Sequence, residues 1–334
     1  MSITIKDVAK ETGFSIATVS KALNNNPSIS NSTVEKIKKT AEKLNYKPNV
    51  RAKNFASKTT KTIVFLASLP KNAGFKNPHL FEIIQGTISI LDENGYSLVL
   101  KSRSKQDALK FIDQFYETQF ADAIIFHGSV MSKALAKKIE KLNILHTVIG
   151  NPGFINKLCW IDTDNKLSGE LAAQHLLSKG YRDVYYIGGE KNDMTSNYRL
   201  EGLKTIFSHN GIVLDDQKII YTSSTISDGA WATNRIIKQN KLPRAIVCAN
   251  NPICLGCLQT LQNKKIRVPE DVALITFDTY PFSLTVKPQL TVVDIDMFAL
   301  GTEVGSFILE KIKRPATLFQ AYKTIPELKV RDST

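Results

Sequence analysis

Cysteine is scarce in this chain, with four among 334 residues, and that count argues against a disulfide-built scaffold. The sequence also lacks a signal peptide and any apolar run long enough to span a bilayer. We therefore expect a cytoplasmic protein whose thiols stay reduced. Cys254 and Cys257 form a single C-x-x-C motif within an apolar segment of helical spacing. We interpret them as buried structural thiols, with redox chemistry as the alternative.

The residue patterns that carry catalysis or hold cofactors are also missing. The five histidines stand at positions 79, 127, 146, 175 and 209, and no two have metal-ligand spacing. Gly188 and Gly189 follow an apolar run but lack the third glycine of a dinucleotide fingerprint, and there is no Walker loop. The sequence therefore predicts that the protein is not an enzyme and uses no metal or nucleotide cofactor.

Acidic residues are few near the start of the chain. The first 61 residues hold 12 Lys or Arg against four Asp or Glu, so their net charge of +8 makes up most of the +13 of the whole chain. This asymmetry is typical of a segment that binds a polyanion such as DNA. The alternative is a helical bundle whose Lys-rich face is only solvated.

Residues 4–24 predict two short helices joined by a tight turn. Thr4 and Asp7 have the spacing of a capping box, Gly13 suits the left-handed residue that ends a helix, and Ser15 can cap the next helix. A third helix, capped by Ser30, carries apolar residues at helical spacing and would close a small core. The second helix then leaves one face exposed. We interpret this segment as a helix-turn-helix that reads the major groove.

Residues 4–24, together with the stretch Leu44-Asn45-Tyr46-Lys47-Pro48-Asn49 and the following Ala52, resemble the DNA-binding headpiece of the lac repressor family of bacterial transcription regulators. The resemblance implies a headpiece over residues 1–47. It implies major-groove contacts from Ile16, Ala17, Thr18 and Lys21. It also implies DNA-backbone contacts from Thr4, Ser15, Ser20, Asn24, Ser28, Ser30 and Asn49.

Residues 48–61 predict a linker with helical potential. A helix of about eight residues is unstable alone in water, so we expect it to fold only on a partner. The resemblance implies a hinge helix that pairs with its copy in the minor groove and wedges an apolar side chain between base pairs. It assigns this role to Ala52 and Phe55, with Phe55 standing where the family usually has Leu. The alternative is that Phe55 packs on the core domain.

From residue 62 to residue 313, apolar strands alternate with amphipathic helices. This alternation predicts parallel sheets covered on both faces, and the length is enough for two lobes. The predicted fold class is thus an all-α helix-turn-helix headpiece plus an α/β two-lobed domain with two doubly wound parallel sheets. A cleft between two such lobes is the expected ligand site.

Short motifs in this second part also follow the order of the lac repressor family, among them Arg199-Leu200-Glu201-Gly202, Cys248-Ala249-Asn250 and Phe277-Asp278. The resemblance implies an effector-binding and dimerisation domain over residues 62–334 that looks like a periplasmic sugar-binding protein. One lobe is expected over about 62–160 and 294–322, and the other over about 161–293 and 323–334.

The resemblance also implies the residues of an effector site in the cleft. They are His79, Leu80, Arg199, Asn250 and Asp278. A forked cation, an amide and a carboxylate can each grip paired hydroxyls or a ligand acid. The alternatives are a surface Arg, a helix-capping Asn and a turn Asp. Asn251 stands where the family usually has Asp, which removes negative charge near the expected cleft.

The whole chain is therefore expected to be a sequence-specific transcriptional regulator. A repressor controlled by a small polar ligand, such as a sugar or sugar derivative, is the main hypothesis, and an activator or dual regulator is the alternative. One headpiece offers a small DNA footprint, so we expect a homodimer on a pseudo-palindromic double-stranded operator. A sugar-binding transport protein would share the large domain but would not have a basic helical headpiece.

Overall fold

The computed structural model describes residues 3–46, 59–69, 78–239, 242–316 and 321–334. It divides into two compact units, residues 1–61 and residues 62–334. The predicted hinge and backbone-contact residues Asn49, Ala52 and Phe55 lie outside the described ranges. None of the helices in those ranges combines the length and the apolar character that a bilayer crossing requires.

The N-terminal unit is helical, and capping residues set its helix boundaries. The carboxylate of Asp7 accepts hydrogen bonds from the backbone N–H and the hydroxyl of Thr4, both at 2.8 Å. Gly13 ends the first helix at a left-handed φ of 75°. The Ser15 hydroxyl accepts from the Thr18 N–H at 3.1 Å. The helices are α1 (Ile5–Thr12), α2 (Ile16–Leu23) and α3 (Asn31–Lys43).

The core of this unit is small because each helix contributes only one narrow apolar face. Leu23, Val34 and Leu44 are partly buried and pack against that core. With the apolar faces turned inward, the remaining surface of α2 is left to solvent. The buried apolar residues are Val8, Ala9, Val19, Ala22, Ile37 and Ala41.

The first lobe of the larger unit is a parallel sheet with helices on both faces. Its strands follow the order β11-β5-β4-β3-β1-β2. Along β1, Ile63 and Phe65 pack on one face while Val64 and Leu66 pack on the other, as expected for a strand buried on both sides. The elements are β1 (Thr62–Ala67), α4 (Pro78–Glu93), β2 (Ser97–Ser102), α5 (Lys105–Thr118), β3 (Ala123–His127), α6 (Lys133–Lys141), β4 (His146–Ile149), β5 (Trp160–Thr163), α12 (Met297–Lys313) and β11 (Ala321–Thr324).

The second lobe repeats this architecture, with the strand order β12-β10-β9-β8-β6-β7. One strand departs from the predicted parallel arrangement, because β12 pairs antiparallel with β10. The elements are α7 (Asn165–Ser178), β6 (Val184–Gly188), α8 (Met194–His209), β7 (Ile219–Tyr221), α9 (Ile226–Ile237), β8 (Ala245–Cys248), α10 (Asn251–Asn263), β9 (Ala273–Phe277), α11 (Pro281–Thr285), β10 (Thr291–Asp294) and β12 (Glu327–Lys329).

The chain crosses between the lobes three times, after β5, after β10 and after β11. The strand pairing places each boundary between the lobes one to three residues further along the chain than predicted. Thr163 pairs with Thr324 in the first sheet, whereas Asp294 pairs with Glu327 in the second. β12 is antiparallel because β11, like the other strands of the first sheet, ends on the side that faces the other lobe. The chain therefore enters the second sheet at the carboxyl ends of its parallel strands, and β12 runs in the direction opposite to them.

Glycines let neighbouring helices of the second lobe approach very closely. A Cβ atom on Gly169 of α7 would lie 1.9 Å from the carbonyl oxygen of Arg199 on α8. A Cβ atom on Gly202 of α8 would lie 2.0 Å from the carbonyl oxygen of Lys166 on α7. Any larger residue would force the two helices apart. This contact therefore fixes the backbone of Arg199 relative to the start of α7.

Candidate functional site

The predicted major-groove residues form an outward face at the start of α2. Ile16, Ala17 and Lys21 are exposed, and Thr18 is partly buried with its hydroxyl 2.9 Å from that of Ser15. Ile16 is 46 % exposed, although Val19 and Ala22 of the same helix are buried. An apolar side chain on a polar helical surface is suited to contact with a thymine methyl group.

The predicted DNA-backbone residues within the described ranges lie near helix ends. Ser15 and Ser30 cap α2 and α3, so both helices present their N-terminal N–H groups close to these hydroxyls. Helix N-termini favour negatively charged groups such as phosphates. The side-chain amide of Asn24 donates to the Ser20 carbonyl at 2.9 Å at the other end of α2. The whole set is exposed or partly buried: Thr4, Ser15, Ser20, Asn24, Ser28 and Ser30.

Lysine side chains cover much of the same unit. Few acidic side chains oppose them, and the Nζ atom of Lys43 lies 3.9 Å from Glu11. A positively charged surface with exposed helix starts is suited to the phosphates of a duplex. The exposed lysines of the described headpiece are Lys6, Lys10, Lys21, Lys36, Lys38, Lys39 and Lys43.

The larger unit contains a cleft of about 740 Å³ between its two lobes. It lies at the carboxyl ends of the parallel strands, where folds of this type bind ligands. All five predicted effector residues line it. His79 and Leu80 come from the start of α4 in the first lobe, whereas Arg199, Asn250 and Asp278 come from the second lobe.

Arg199 is buried in the wall of this cleft, with 4 % of its surface exposed, and is not a surface arginine. Its Nε donates to the Asn165 side-chain oxygen at 3.1 Å, and its terminal nitrogens donate to the Ala249 carbonyl at 2.7 Å and to Asp278 Oδ1 at 3.4 Å. The guanidinium also lies 4.3 Å from the ring centre of Phe277. A guanidinium has five N–H donors, so these contacts leave two for a ligand.

Asp278 follows β9 and turns the chain sharply, with a left-handed φ of 67°. This conformation is uncommon outside glycine and directs the carboxylate back toward Arg199. The amide of Asn251 donates to the carbonyls of Phe277 and Asp278 at 2.6 and 2.9 Å. These two hydrogen bonds hold the turn in place. Asp278 is therefore a turn residue that also forms a buried ion pair.

His79 reaches from the first lobe to residues of the second. Its ring packs edge-on against Tyr280, with ring centres 4.4 Å apart, and its Nε2 lies 3.8 Å from Asp278 Oδ2. Both ring nitrogens are buried and have no hydrogen-bond partner among the described residues. Leu80 is 4 % exposed and belongs to the core of the first lobe, so it supplies an apolar wall to the cleft.

Asn250 caps the N-terminus of α10, so the alternative interpretation of this residue as a helix cap is correct. Its side-chain oxygen accepts from the Ile253 N–H at 3.1 Å. Capping uses only the oxygen of the side chain. Within the described part of the chain, the amide nitrogen of Asn250 is thus left for a ligand.

Sequence reasoning missed several residues of the cleft. Asp162 lines it from β5 and accepts from the backbone N–H groups of Asn151 and Thr163 at 2.9 and 2.8 Å. Burial raises the pKa of Asp162. His127 also lines the cleft, and burial lowers its pKa to about 4. Asp162 lies near the end of β5 and His127 lies at the end of β3, and a polar residue at a strand end could have indicated the cleft. For Asp162 this reasoning failed because the sequence did not predict β5.

The cysteines and histidines form no metal centre in the part of the chain that the structure describes. All four thiols are free and buried, as expected for the C-x-x-C pair. The Sγ atoms of Cys248 and Cys257 lie 3.6 Å apart. Burial raises the pKa of the Cys248 thiol, which keeps it protonated and unreactive.

Two family models match the chain. Residues 4–49 match the model of bacterial regulatory proteins, lacI family, and residues 173–334 match that of the periplasmic binding protein-like domain. The chain is 30 % identical over 312 residues to catabolite control protein A of Staphylococcus epidermidis, covering 93 % of this chain and 92 % of that protein. It is 28 % identical over 334 residues to the HTH-type transcriptional repressor PurR of Haemophilus influenzae, covering 99 % and 98 %.

Solved structures share the fold across the full length. The lac repressor dimer bound to operator and the anti-inducer ONPF matches with a TM-score of 0.81 and 21 % identity, covering 100 % of this chain and 99 % of that one. The transcriptional regulator CelR in complex with cellobiose matches with a TM-score of 0.75 and 24 % identity, covering 99 % and 100 %. The predicted combination of a helical headpiece and a two-lobed α/β domain is confirmed by these likenesses.

Proposed function

The chain belongs to the lacI family of bacterial regulatory proteins, so it is a DNA-binding transcriptional regulator and not an enzyme. From this premise we propose that it is a cytoplasmic repressor controlled by a small polar effector. It acts as a homodimer on a pseudo-palindromic operator. The two headpieces occupy the two half-sites, which doubles the DNA footprint of one module.

On the DNA side, the proposal is supported by the outward face of α2. Ile16, Ala17, Thr18 and Lys21 read base edges, while the surrounding lysines and helix starts bind phosphates. The family resemblance adds Asn49 on the backbone and Ala52 with Phe55 in the minor groove. The phosphate contacts supply most of the affinity, and the four residues of α2 supply the sequence preference.

The observation that carries the effector proposal is the buried Arg199 in the cleft. Beyond the three N–H groups that donate to described residues, its guanidinium has two further N–H donors, next to the Asp278 carboxylate and the Asn250 amide. Such neighbouring donors and acceptors bind the paired hydroxyls of a sugar or sugar derivative. The rings of His79 and Tyr280 line the same cleft, and their aromatic surfaces can pack against the less polar face of such a ligand.

The mechanism that we propose couples the cleft to the operator. His79 of the first lobe contacts Tyr280 and lies close to Asp278 of the second lobe, so a ligand bound in the cleft beside these contacts stabilises one relative arrangement of the lobes. The ligand changes operator affinity to the extent that it binds one arrangement more tightly than the other.

The DNA proposal is tested by selecting genomic fragments with the purified protein and sequencing them. We expect a pseudo-palindromic motif, and binding to random duplex that weakens steeply with salt. Ile16→Ala should relax the motif, whereas Lys204→Ala, a lysine of the second lobe, should leave it unchanged. Failure to retain any DNA at low salt would contradict the proposal.

The effector proposal is tested by equilibrium dialysis of the protein against a polar-metabolite extract of bacterial cells, with mass spectrometry of retained compounds. We expect at least one small polar compound to be retained by the wild type and lost with Arg199→Ala. The purified compound should then change operator affinity. Retention of no compound by the wild type would contradict an effector site in this cleft.

A further inference from the structure

Asn251, the first residue of α10, has a side chain whose orientation the structure fixes. The residue is 1 % exposed. Its amide nitrogen donates to two backbone carbonyls, those of Phe277 at 2.6 Å and Asp278 at 2.9 Å. A flipped amide would place an oxygen against these two carbonyl oxygens, which cannot donate. The side-chain oxygen therefore has to point away from the Asp278 turn.

That oxygen has no hydrogen-bond partner among the described residues, and it is fully buried. Buried polar atoms in folded proteins almost always have a partner, so an unpartnered acceptor at this position needs an explanation. Asn251 lines the cleft together with Arg199, Asn250 and Asp278. The two ring nitrogens of His79, which line the same cleft, are also buried without a partner among the described residues.

We propose that Asn251 is a further effector-binding residue, which selects an effector that presents an O–H or N–H donor to the Asn251 side-chain oxygen. An amide oxygen accepts hydrogen bonds and cannot donate them. A hydroxyl or an amine nitrogen of the effector satisfies it. A phosphate or carboxylate group of the effector brings only acceptor oxygens and is excluded from this point of the cleft, although it can bind elsewhere along Arg199.

The same geometry shows why Asn, and not Asp, is suited to this position. A carboxylate at residue 251 would face two carbonyl oxygens at the 2.6 and 2.9 Å separations that the amide now bridges. It would lose both donors and release the Asp278 turn. One side chain thus holds the backbone of an effector-binding residue and offers an acceptor to the effector.

The inference rests on the proposed effector site, and the same dialysis against a polar-metabolite extract tests both. Asn251→Ala removes the acceptor oxygen and should lower retention of the compound bound by the wild type at least tenfold. The matched control is Asn234→Ala, which also removes an amide donating to a backbone carbonyl, that of Ala230 at 3.0 Å, but lies on α9. Asn234→Ala should retain the compound as the wild type does. The retained compound should carry a hydroxyl or N–H group, and its methylated derivative at that group should bind at least tenfold more weakly.

The outcomes separate the two proposals. Loss of retention with Arg199→Ala but not with Asn251→Ala leaves the effector site intact and overturns the role of Asn251. Retention of a compound without any O–H or N–H donor also overturns it, and retention of nothing by the wild type overturns both proposals. Circular dichroism and operator binding establish that each variant is folded. If Asn251→Ala is not folded, Asn251→Ser replaces it, since the shorter side chain withdraws the acceptor from the effector and keeps a hydroxyl that can donate to a backbone carbonyl.

Discussion

The N-terminal unit and the cleft-bearing unit expose their functional residues in opposite ways. In the N-terminal unit, the base-reading candidates occupy a six-residue stretch of α2 and lie on a surface that a small core of six apolar side chains supports. In the larger unit, the effector candidates come from residues as far apart as His79 and Asp278 and are buried or partly buried. Their charges are compensated by one another.

This difference shows what each unit depends on. An exposed helix face needs only the correct fold of one short segment, and its residues can change without loss of stability. A buried cleft needs two lobes, three crossings and a paired charge, so function and stability share the same residues. Substitutions that destabilise one unit should therefore leave the stability and the binding activity of the other unit unchanged.

The largest effect is expected for Arg199→Ala. It leaves Asp278 buried with an unpaired carboxylate and removes the donor from two further acceptors. Breaking a buried ion pair on one side costs about 3–5 kcal/mol. Urea unfolding should show this loss in the larger unit. Arg267→Ala, which breaks the exposed pair with Asp271, should change the midpoint little. An equal loss for both variants would contradict the role of burial.

Ile37→Ala should produce the corresponding effect in the N-terminal unit. Ile37 is fully buried in a core of only six residues, and such truncations cost about 2–5 kcal/mol. We expect operator binding to be lost while effector retention by dialysis stays at the wild-type level. Loss of effector retention would show that the two units do not fold separately.

Acid should destabilise the larger unit through His127. Burial lowers its pKa from 6.5 to about 4, so the unfolded chain takes up the proton first as the pH falls. The stability from neutral, buried His127 is complete above about pH 6.5 and is lost progressively between there and about pH 4, by about 3 kcal/mol.

Urea unfolding of wild type and His127→Asn at pH 7.5 and pH 5 measures this effect. The Asn oxygen can still accept from the Ser129 N–H, which now donates to His127 Nδ1 at 3.2 Å. The variant should lose less stability on acidification than the wild type. Parallel curves for wild type and His127→Asn would contradict the prediction.

Gly169→Ala should disturb the cleft from a distance. The new methyl group would lie 1.9 Å from the Arg199 carbonyl, so α7 and α8 must separate at a cost of about 1–3 kcal/mol. Because Arg199 moves with α8, effector retention should fall several-fold as well. Glu170→Ala on the same helix serves as the control. Unchanged retention with Gly169→Ala would mean that the position of α8 does not control the site.

The smallest effect is expected for Ser15→Ala. It removes the hydroxyl that accepts from the Thr18 N–H, and loss of such a cap costs about 1 kcal/mol. Thermal unfolding of the N-terminal unit should show a lower midpoint. Ser28→Ala is the control, because the hydrogen bond that Ser28 makes within the described headpiece comes from its backbone N–H, which donates to Asn26. An unchanged midpoint would show that the cap is dispensable.

The local features of the N-terminal unit could be predicted from sequence because each has a local cause. Thr4, Gly13, Ser15 and Ser30 stand at the helix boundaries that their capping chemistry predicts. The βα alternation of the larger unit was predictable for the same reason, since its longer strands and helices have clear periodicity.

Other elements had no local signal. The strands β11 and β12 have three or four residues and are largely exposed, so no burial alternation marks them. The cleft contacts of Arg199 with Asn165 and Ala249 join residues 34 and 50 positions apart. Only the packing of α7 against α8 and of the neighbouring strands brings them together. The partner of each charge was therefore not predictable from spacing.

The three crossings between the lobes constrain the kind of motion that the larger unit can make. Each connection is only a few residues long, and β5 lies beside β11 while β10 lies beside β12. We expect the three connections together to let one lobe swing relative to the other while resisting sliding of the lobes. Such a swing would separate His79 from Asp278, and spectroscopic labels on α4 and α10 would follow it as a change in one distance.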